Sequence, residues 1–447
     1  MSLLRFCQDR RGGVAPMFAI AIIPVFGLVG AAVDYSRASS IRAGMQSAID
    51  ATALAMAKLA PTLTKAELDQ KTNDYFKAMF NHPEAKNLVI TPNYTTAGGS
   101  QLNVSVSGSM DTSFMRLMGF SSLNIGSNST VKWGNSRLRV ALALDNTGSM
   151  NDDGKMAALK TATNNLLTQL KNAATNSADV YVSIIPFSKD VNVGSGNFGA
   201  SWIDWTAWNE VNGSCSNSWY KNKTDCQNAN RTWTTANHNT WNGCVVDRGR
   251  SSGPHSNNYD TNVTPPGSSN STKFSAEQYD SCPQAVLPLT NTWSTMTTLV
   301  NNMTPDGNTN QAIGLAHAWM SLVGGGPYPT PPAKDTNYTY SDVIILLTDG
   351  LNTQNRWYTD QSSIDAREQM TCDHINAANI NLYTIQVNTG GDAVSTLLKN
   401  CAGTAPAPNV LRKYPDPDKN FVVTSSSGIG TVFNQIGTNL SKLRIAK

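Results

Sequence analysis

The segment Arg139-Val-Ala-Leu-Ala-Leu-Asp145-Asn-Thr147-Gly-Ser149-Met150 restricts the fold of this chain more than any other stretch. Its apolar run is too short to cross a membrane. It is also unbroken rather than alternating, the pattern of a parallel strand covered on both faces. The run ends in a carboxylate, followed by hydroxyls at alternate positions with a glycine between them that lets the backbone turn. One carboxylate and two hydroxyls at the carboxyl end of a buried strand make a hard-oxygen cluster, which suits magnesium or calcium. Such residues also stand where open α/β sheets bind ligands, just outside the strand ends. Taken alone, the segment fits a strand and a capped helix as well, with Asp145 or Ser149 as the N-cap.

Two later segments extend the pattern. Asp306-Gly-Asn-Thr309-Asn310 places a hydroxyl in a loop before a helical pattern, and Val343-Ile-Ile-Leu-Leu-Thr348-Asp349-Gly350 is a second apolar run ending in a carboxylate. Together the three segments resemble the metal-ion-dependent adhesion site of von Willebrand factor A domains. That pattern is Asp-x-Ser/Thr-x-Ser, then a loop Thr, then an Asp after a later strand. The matching residues are Asp145, Thr147, Ser149, Thr309 and Asp349, and the resemblance covers residues 137–447 with one large interruption. It implies a divalent cation, Mg2+ first with Mn2+ or Ca2+ as alternatives, and a protein partner that completes the ion's shell with an Asp or Glu. In that reading Asp145 and Asp349 supply charge, Ser149 and Thr309 are direct or near-direct ligands, and Thr147 acts directly or through water.

Near the N-terminus, the chain carries no charge from Val14 to Val33, long enough to span a bilayer. Pro16 suits a first helical turn and Pro24 predicts a kink. Arg5, Arg10 and Arg11 precede the span and predict a cytoplasmic N-terminus, a bias moderated by Arg37 and Arg42 beyond it. A cleaved signal peptide is the rival reading. Its apolar core is usually shorter, and no small-x-small site precedes a polar start here. The segments Arg10-Arg-Gly-Gly-Val-Ala-Pro-Met-Phe-Ala, Val-Gly-Ala-Ala-Val-Asp34-Tyr35 and Gln46-Ser-Ala-Ile-Asp50-Ala-Thr-Ala-Leu-Ala resemble the TadE/TadG-like proteins of bacterial tight-adherence (Flp) pilus assembly. Related prepilins carry a Glu five residues after the cleavage glycine. Counted from Gly13 that position is Phe18, which argues for a retained anchor. The resemblance implies a single-pass protein of the bacterial inner membrane, with the bulk of the chain periplasmic or surface-exposed and partners among pilus or envelope components.

Three regions follow in order: a tail and membrane anchor at 1–35, a small α+β module at 36–132, and an α/β domain at 137–447. In the module, residues 34–60 and 66–80 read as helices. Residues 88–91, 102–106 and 123–131 read as strands, with Gly98-Gly99 as a turn. The small residues Ala43, Gly44, Ala48, Ala51 and Ala55 permit close helix packing, though Ala also raises helix propensity by itself. In the last region, apolar runs alternate with helical patterns, which predicts a doubly wound, mostly parallel, Rossmann-like sheet.

An insertion at about 188–291 interrupts that alternation with six of the ten tryptophans and four cysteines. So long a stretch needs its own order, and the expectation is a disulfide-stapled subdomain whose tryptophans fill a small core. The sharper alternative is an aromatic contact surface for sugar or protein. Of seven cysteines, Cys7 precedes the apolar span and the rest follow it, as suits an oxidising compartment beyond a membrane. Cys372 and Cys401 sit in helical patterns flanking one strand and are expected to pair. Cys215–Cys226 would close a short loop and Cys244–Cys282 would tie the insertion back, leaving Cys7 free.

The remaining signals exclude more than they suggest. Gly194-Ser-Gly196-Asn-Phe-Gly199 joins no strand to a helix, so dinucleotide binding is not expected. Cys215, Cys226, Cys244 and Cys282 with His238 and His255 lack the short paired spacing of a zinc site. No basic run points to nucleic acid, and no motif supplies a nucleophile with a base, His317 standing in an ordinary helical pattern. The chain therefore reads as a non-enzymatic, membrane-anchored envelope protein. A metal-dependent envelope hydrolase and a structural anchor with a vestigial metal site are the alternatives.

Overall fold

An N-terminal helix and two sheets of opposite character organise the computed structural model, which describes residues 14–96, 100–133, 136–249, 257–336, 338–404 and 413–445. Cys7, the arginines at 5, 10 and 11, the Gly98-Gly99 turn and His255 lie outside the described residues. The chain divides into two units, Met1–Asn135 and Ser136–Lys447.

In the first unit, helix α1 (Val14–Ala57) continues without a break past residue 35, with Pro24 inside it. Ala38, Ile41, Met45, Ala48, Ile49, Ala53 and Met56 recur at helical spacing and are buried, so this half of α1 packs by one stripe. Helix α2 (Lys65–Met79) begins with a capping box between Thr64 and Glu67. Strands β1 (Ala85–Thr95), β2 (Ser100–Asp111) and β3 (Ser122–Trp133) form an antiparallel sheet in that order. Alternate residues of β2, namely Leu102, Val104 and Val106, are buried in one core with the α1 stripe. That is the one-sided pattern of an antiparallel sheet with a helix on one face.

The second unit opens with β4 (Ser136–Asp145), in which every residue is buried except the half-buried Arg137. Helix α3 (Lys155–Ala173) and strand β5 (Val180–Phe187) follow. Within the insertion come β6 (Val191–Asn192), β7 (Ile203–Asp204), α4 (Thr206–Val211), β8 (Gly213–Cys215), α5 (Lys223–Asn228), β9 (Trp233–Thr235), β10 (Cys244–Val246), β11 (Phe274–Ala276) and β12 (Leu287–Thr290). The chain then forms α6 (Trp293–Asn302), α7 (Gln311–Val323), β13 (Thr339–Thr348), α8 (Gln361–Ala377), β14 (Asn381–Val387), α9 (Thr396–Cys401), β15 (Asn420–Val423) and α10 (Ser426–Ile445).

Strands β15, β14, β13, β4 and β5 lie side by side and pair in parallel. Beyond β5 the sheet becomes mixed: β12 and β6 both pair antiparallel to β5. The two faces of β4 explain the layers. Leu138, Val140, Leu142 and Leu144 point into a core shared with α3, α6 and α10. Ala141 and Ala143 point the other way, into a core shared with α7 and α8. The small alanines leave room for α7, whose residues from Gln311 to Leu322 are all buried.

The insertion differs from its expectation as a subdomain with its own core. Its strands β6, β10, β11 and β7 prolong the central sheet. Trp208 and Trp241 are buried in the same cluster as Phe187, Ala316 and Leu346 of the main domain, while Trp202 and Trp205 pack against it. Trp219 alone among the described insertion tryptophans is largely exposed, at 82%. The physical reason is continuity: short strands that add to an existing edge inherit the core beneath it. Disulfides join Cys215 to Cys226, Cys244 to Cys282 and Cys372 to Cys401, with Cα–Cα distances of 5.8, 5.8 and 5.0 Å.

Two predictions come from this packing. A Cβ at Gly314 in α7 would overlap the fully buried ring of Phe187. Gly314→Ala should therefore destabilise the protein by about 1–3 kcal/mol in urea unfolding followed by tryptophan fluorescence, despite the better helix propensity of Ala. The second concerns Glu368 on α8, beside the Cys372–Cys401 bridge. Burial pushes its carboxyl from an ordinary 4.5 up to about 8, against a hydrogen bond from Asn352 and with a further push from Asp365. The folded state then keeps a proton that the unfolded chain releases, so this residue's contribution is intact below about pH 4.5 and is lost as pH rises towards about 8. Glu368→Gln should flatten the fall in unfolding midpoint across that window; an unchanged slope would contradict the assignment.

Candidate metal centre

The in-register parallel pairing of β4 with β13 sets Leu144 opposite Leu347, so both strands end at one level. Asp145, the last residue of β4, is fully buried there. Its Oδ1 accepts hydrogen bonds from the Thr147 amide at 2.8 Å and the Thr147 hydroxyl at 2.6 Å, which folds the chain into a tight turn. Its Oδ2 accepts from the Thr348 hydroxyl at 2.7 Å. The Thr147 and Ser149 hydroxyls lie 3.1 Å apart, and Ser149 donates to Asp349 Oδ1 at 2.6 Å. Four of the five residues thus form two donor–acceptor pairs, Thr147 with Asp145 and Ser149 with Asp349, that meet at the two hydroxyl oxygens.

Thr309 enters on a separate loop that is tied to the first by two backbone bonds. Gly148 N donates to Gly307 O, and Asp306 N donates to Asn146 O, both at 2.9 Å. Thr309 is buried, and its amide donates to the Thr353 hydroxyl at 2.8 Å. Among the described residues no hydrogen bond joins the Thr309 hydroxyl to the other four. The loop after β13 is held in turn by Gln311, whose side chain donates to Gly350 O at 3.0 Å. Asn352 accepts from the Gln311 amide at 2.8 Å and donates to Glu368 at 2.7 Å, linking the loop to α7 and α8.

Lys155, at the first turn of α3, was not among the residues selected by sequence. Its ammonium donates to Asp349 Oδ2 at 2.6 Å and to Ser149 O at 3.0 Å, with the side chain 8% exposed. A Lys opening an amphipathic helix carries no signal of such a role; only its place six residues after Ser149 marks it. Thr348 also belongs to the cluster, and only its place directly before Asp349 marks it in the sequence.

The electrostatics are those of crowded carboxylates. Burial, followed by the negative charge of Asp349, pushes the Asp145 carboxyl up to about 6, against the hydrogen bonds from Thr147 and Thr348. A cation among these oxygens would relieve both pressures, and carboxylates with hydroxyls are a donor set that fits a hard divalent ion. The hydroxyls can keep their protons on the carboxylates while turning a lone pair to an ion. Elsewhere, Glu368 lies beside Cys372 and Cys401, but those sulfurs are bonded to each other and offer no thiolate. His317 is buried on α7, 3.0 Å from the Tyr328 hydroxyl, and burial followed by the charge of Arg248 lowers it to about 3. It is a neutral packed imidazole.

Residues 12–58 match the Flp pilus-assembly TadE/G-like family model. No curated protein matches the sequence. Among solved structures, the chain is similar to the pilus adhesin SpaC from Lactobacillus rhamnosus GG in its open conformation, at 13% identity over 82% of this chain and 35% of that chain, with a TM-score of 0.37. It is also similar to the vWF domain of the type V pili tip protein Mfa5 from Porphyromonas gingivalis, at 8% identity over 70% of this chain and 97% of that one, TM-score 0.36. A third likeness is to the PilB minor pilin from Streptococcus sanguinis, at 10% identity over 80% and 79% of the two chains, TM-score 0.35. The chain spans only 35% of the length of SpaC. What the comparisons add is a sequence match to pilus-assembly proteins, confined to residues 12–58.

Proposed function

We propose that this chain is a single-pass, non-enzymatic envelope protein acting in pilus assembly or surface adhesion. In this reading its 136–447 unit is a doubly wound, von Willebrand factor A-like domain that binds a divalent cation and, through it, a protein partner. Mg2+ is the first candidate, with Asp145, Thr147, Ser149, Thr309 and Asp349 as the residues that would hold it. The observation that carries the reading is the convergence of two donor–acceptor pairs, Thr147 with Asp145 and Ser149 with Asp349, at two adjacent strand ends with their hydroxyl oxygens 3.1 Å apart. When bound, the ion supplies Lewis acidity towards a carboxylate of the partner. The TadE/G-like match at residues 12–58 supports the pilus context. The apolar stretch of α1 supports the membrane anchor, and Arg5, Arg10 and Arg11 favour a cytoplasmic N-terminus with the domain in the periplasm or at the surface.

Lys155 has a defined part in this reading. By neutralising Asp349 it lowers the negative charge facing the ion, so the loaded site stays electropositive towards an acidic partner.

Two outcomes are expected. Envelope proteins should be retained by the wild-type protein in Mg2+, released by chelator, and not retained by Asp145→Ala. Retention that survives both treatments would sink the reading. Removing the competing positive charge, Lys155→Met should tighten Mg2+ binding on the order of tenfold in calorimetry while weakening capture of acidic ligands. An unchanged Mg2+ affinity would show that Lys155 only packs the helix start.

A further inference from the structure

We propose that the turn at residues 114–120, between β2 and β3, is a lipid-docking wedge that enters the bilayer leaflet beside α1. The proposal rests on α1 being membrane-spanning, not on the metal centre.

The turn shows apolar side chains to the outside. Leu117 is 87% exposed, Phe120 59%, Met118 48% and Phe114 47%. An exposed run of this kind marks a contact surface with a partner or a membrane. Most of its backbone amides, by contrast, are paired within the protein. The buried carboxylate of Asp34 on α1 accepts from the amides of Ser113, Phe114 and Met115 at 3.0, 2.8 and 2.8 Å. Leu117, Gly119 and Phe120 donate their amides to Phe114, Arg116 and Met115, and Thr112 donates to Ser121 O at 3.1 Å across the base. Gly119 closes the turn at φ 93°, a conformation that suits glycine. Each paired amide lowers the cost of bringing the turn out of water against lipid at the boundary of the leaflet.

The position of the turn along α1 identifies what covers it. A Cβ on Gly27 would lie 3.0 Å from Met118 Sδ, and one on Gly30 would overlap Phe114 Cβ. Both glycines belong to the uncharged run that ends at Val33. At 1.5 Å per residue, Gly27 lies about 10 Å along the helix from Asp34, inside the apolar band. The turn therefore meets α1 where the helix itself faces lipid, with Ile20 and Leu28 each 72% exposed. Met118 and Phe114 of the turn thus lie directly against Gly27 and Gly30 of this stretch of α1. Arg116, on the same turn, has a stem long enough to reach phosphate headgroups. The occupant is the acyl region of the membrane that α1 crosses.

The test places a solvent-sensitive fluorophore at Leu117→Cys in the full chain, with Cys7→Ser, in nanodiscs of phosphatidylethanolamine and phosphatidylglycerol. Ile20→Cys is the lipid reference and Lys77→Cys, on the exposed face of α2, the water reference. The Leu117 label is expected to be blue-shifted, quenched by nitroxide lipids as at Ile20, and to lose the iodide quenching seen at Lys77. Iodide quenching at Leu117 equal to that at Lys77, with Ile20 in lipid, overturns the proposal. So does shielding from both quenchers, which would mean a protein occupant. If the Ile20 label is also in water, the spanning reading of α1 fails and the proposal fails with it.

Discussion

The in-register parallel pairing of β4 with β13 is the constraint on which the second unit depends. It sets the unbroken runs 138–144 and 343–347 side by side and brings both strands to an end at the same height. Two carboxylates that are more than two hundred positions apart in sequence then face one set of hydroxyls, Ser149 bonding to Asp349 across that gap. A slip of one residue would move every side chain of the strand to the opposite face, exchanging the Leu138–Val140–Leu142–Leu144 set for the alanines. The two cores thus fix the register, and the register fixes the site.

Holding Asp145 without water is costly, and the fold offsets this locally. Thr147 and Thr348 bond its two oxygens, and Lys155 balances the neighbouring carboxylate. The loops that carry the groups are tied to one another by backbone bonds at Gly148–Gly307 and Asn146–Asp306. The loops can be rigid because α7 beneath them is buried along its length.

Much of this was legible in the sequence where one force dominates. Runs such as 138–144 and 343–347 are apolar without interruption, and only a strand covered on both faces accounts for them at that length. The acidic residue at the end of each run marked the side chains that cluster there. What was not legible depends on tertiary context. Strands β6, β7, β10 and β11 have two or three residues each, too few to show a period. Helix α6 is rich in Thr and Asn and offers little helix propensity. The fate of Trp208 and Trp241 depended on Phe187 and Ala316 lying beneath them. Lys155 was invisible because a charged residue at a helix start is ordinary, and its partner is 194 residues away.

The most direct test of the central claim is a Mn2+ titration of the whole protein read by electron paramagnetic resonance, alongside Asp349→Asn. If the two strand ends make one ion site, the free Mn2+ signal should be suppressed to a stoichiometry of one per chain in the wild type. Mg2+ should restore the signal, and Asp349→Asn should abolish the suppression while the protein stays folded. A wild-type protein that leaves the free-ion signal untouched, or a variant that suppresses it equally, would contradict the account.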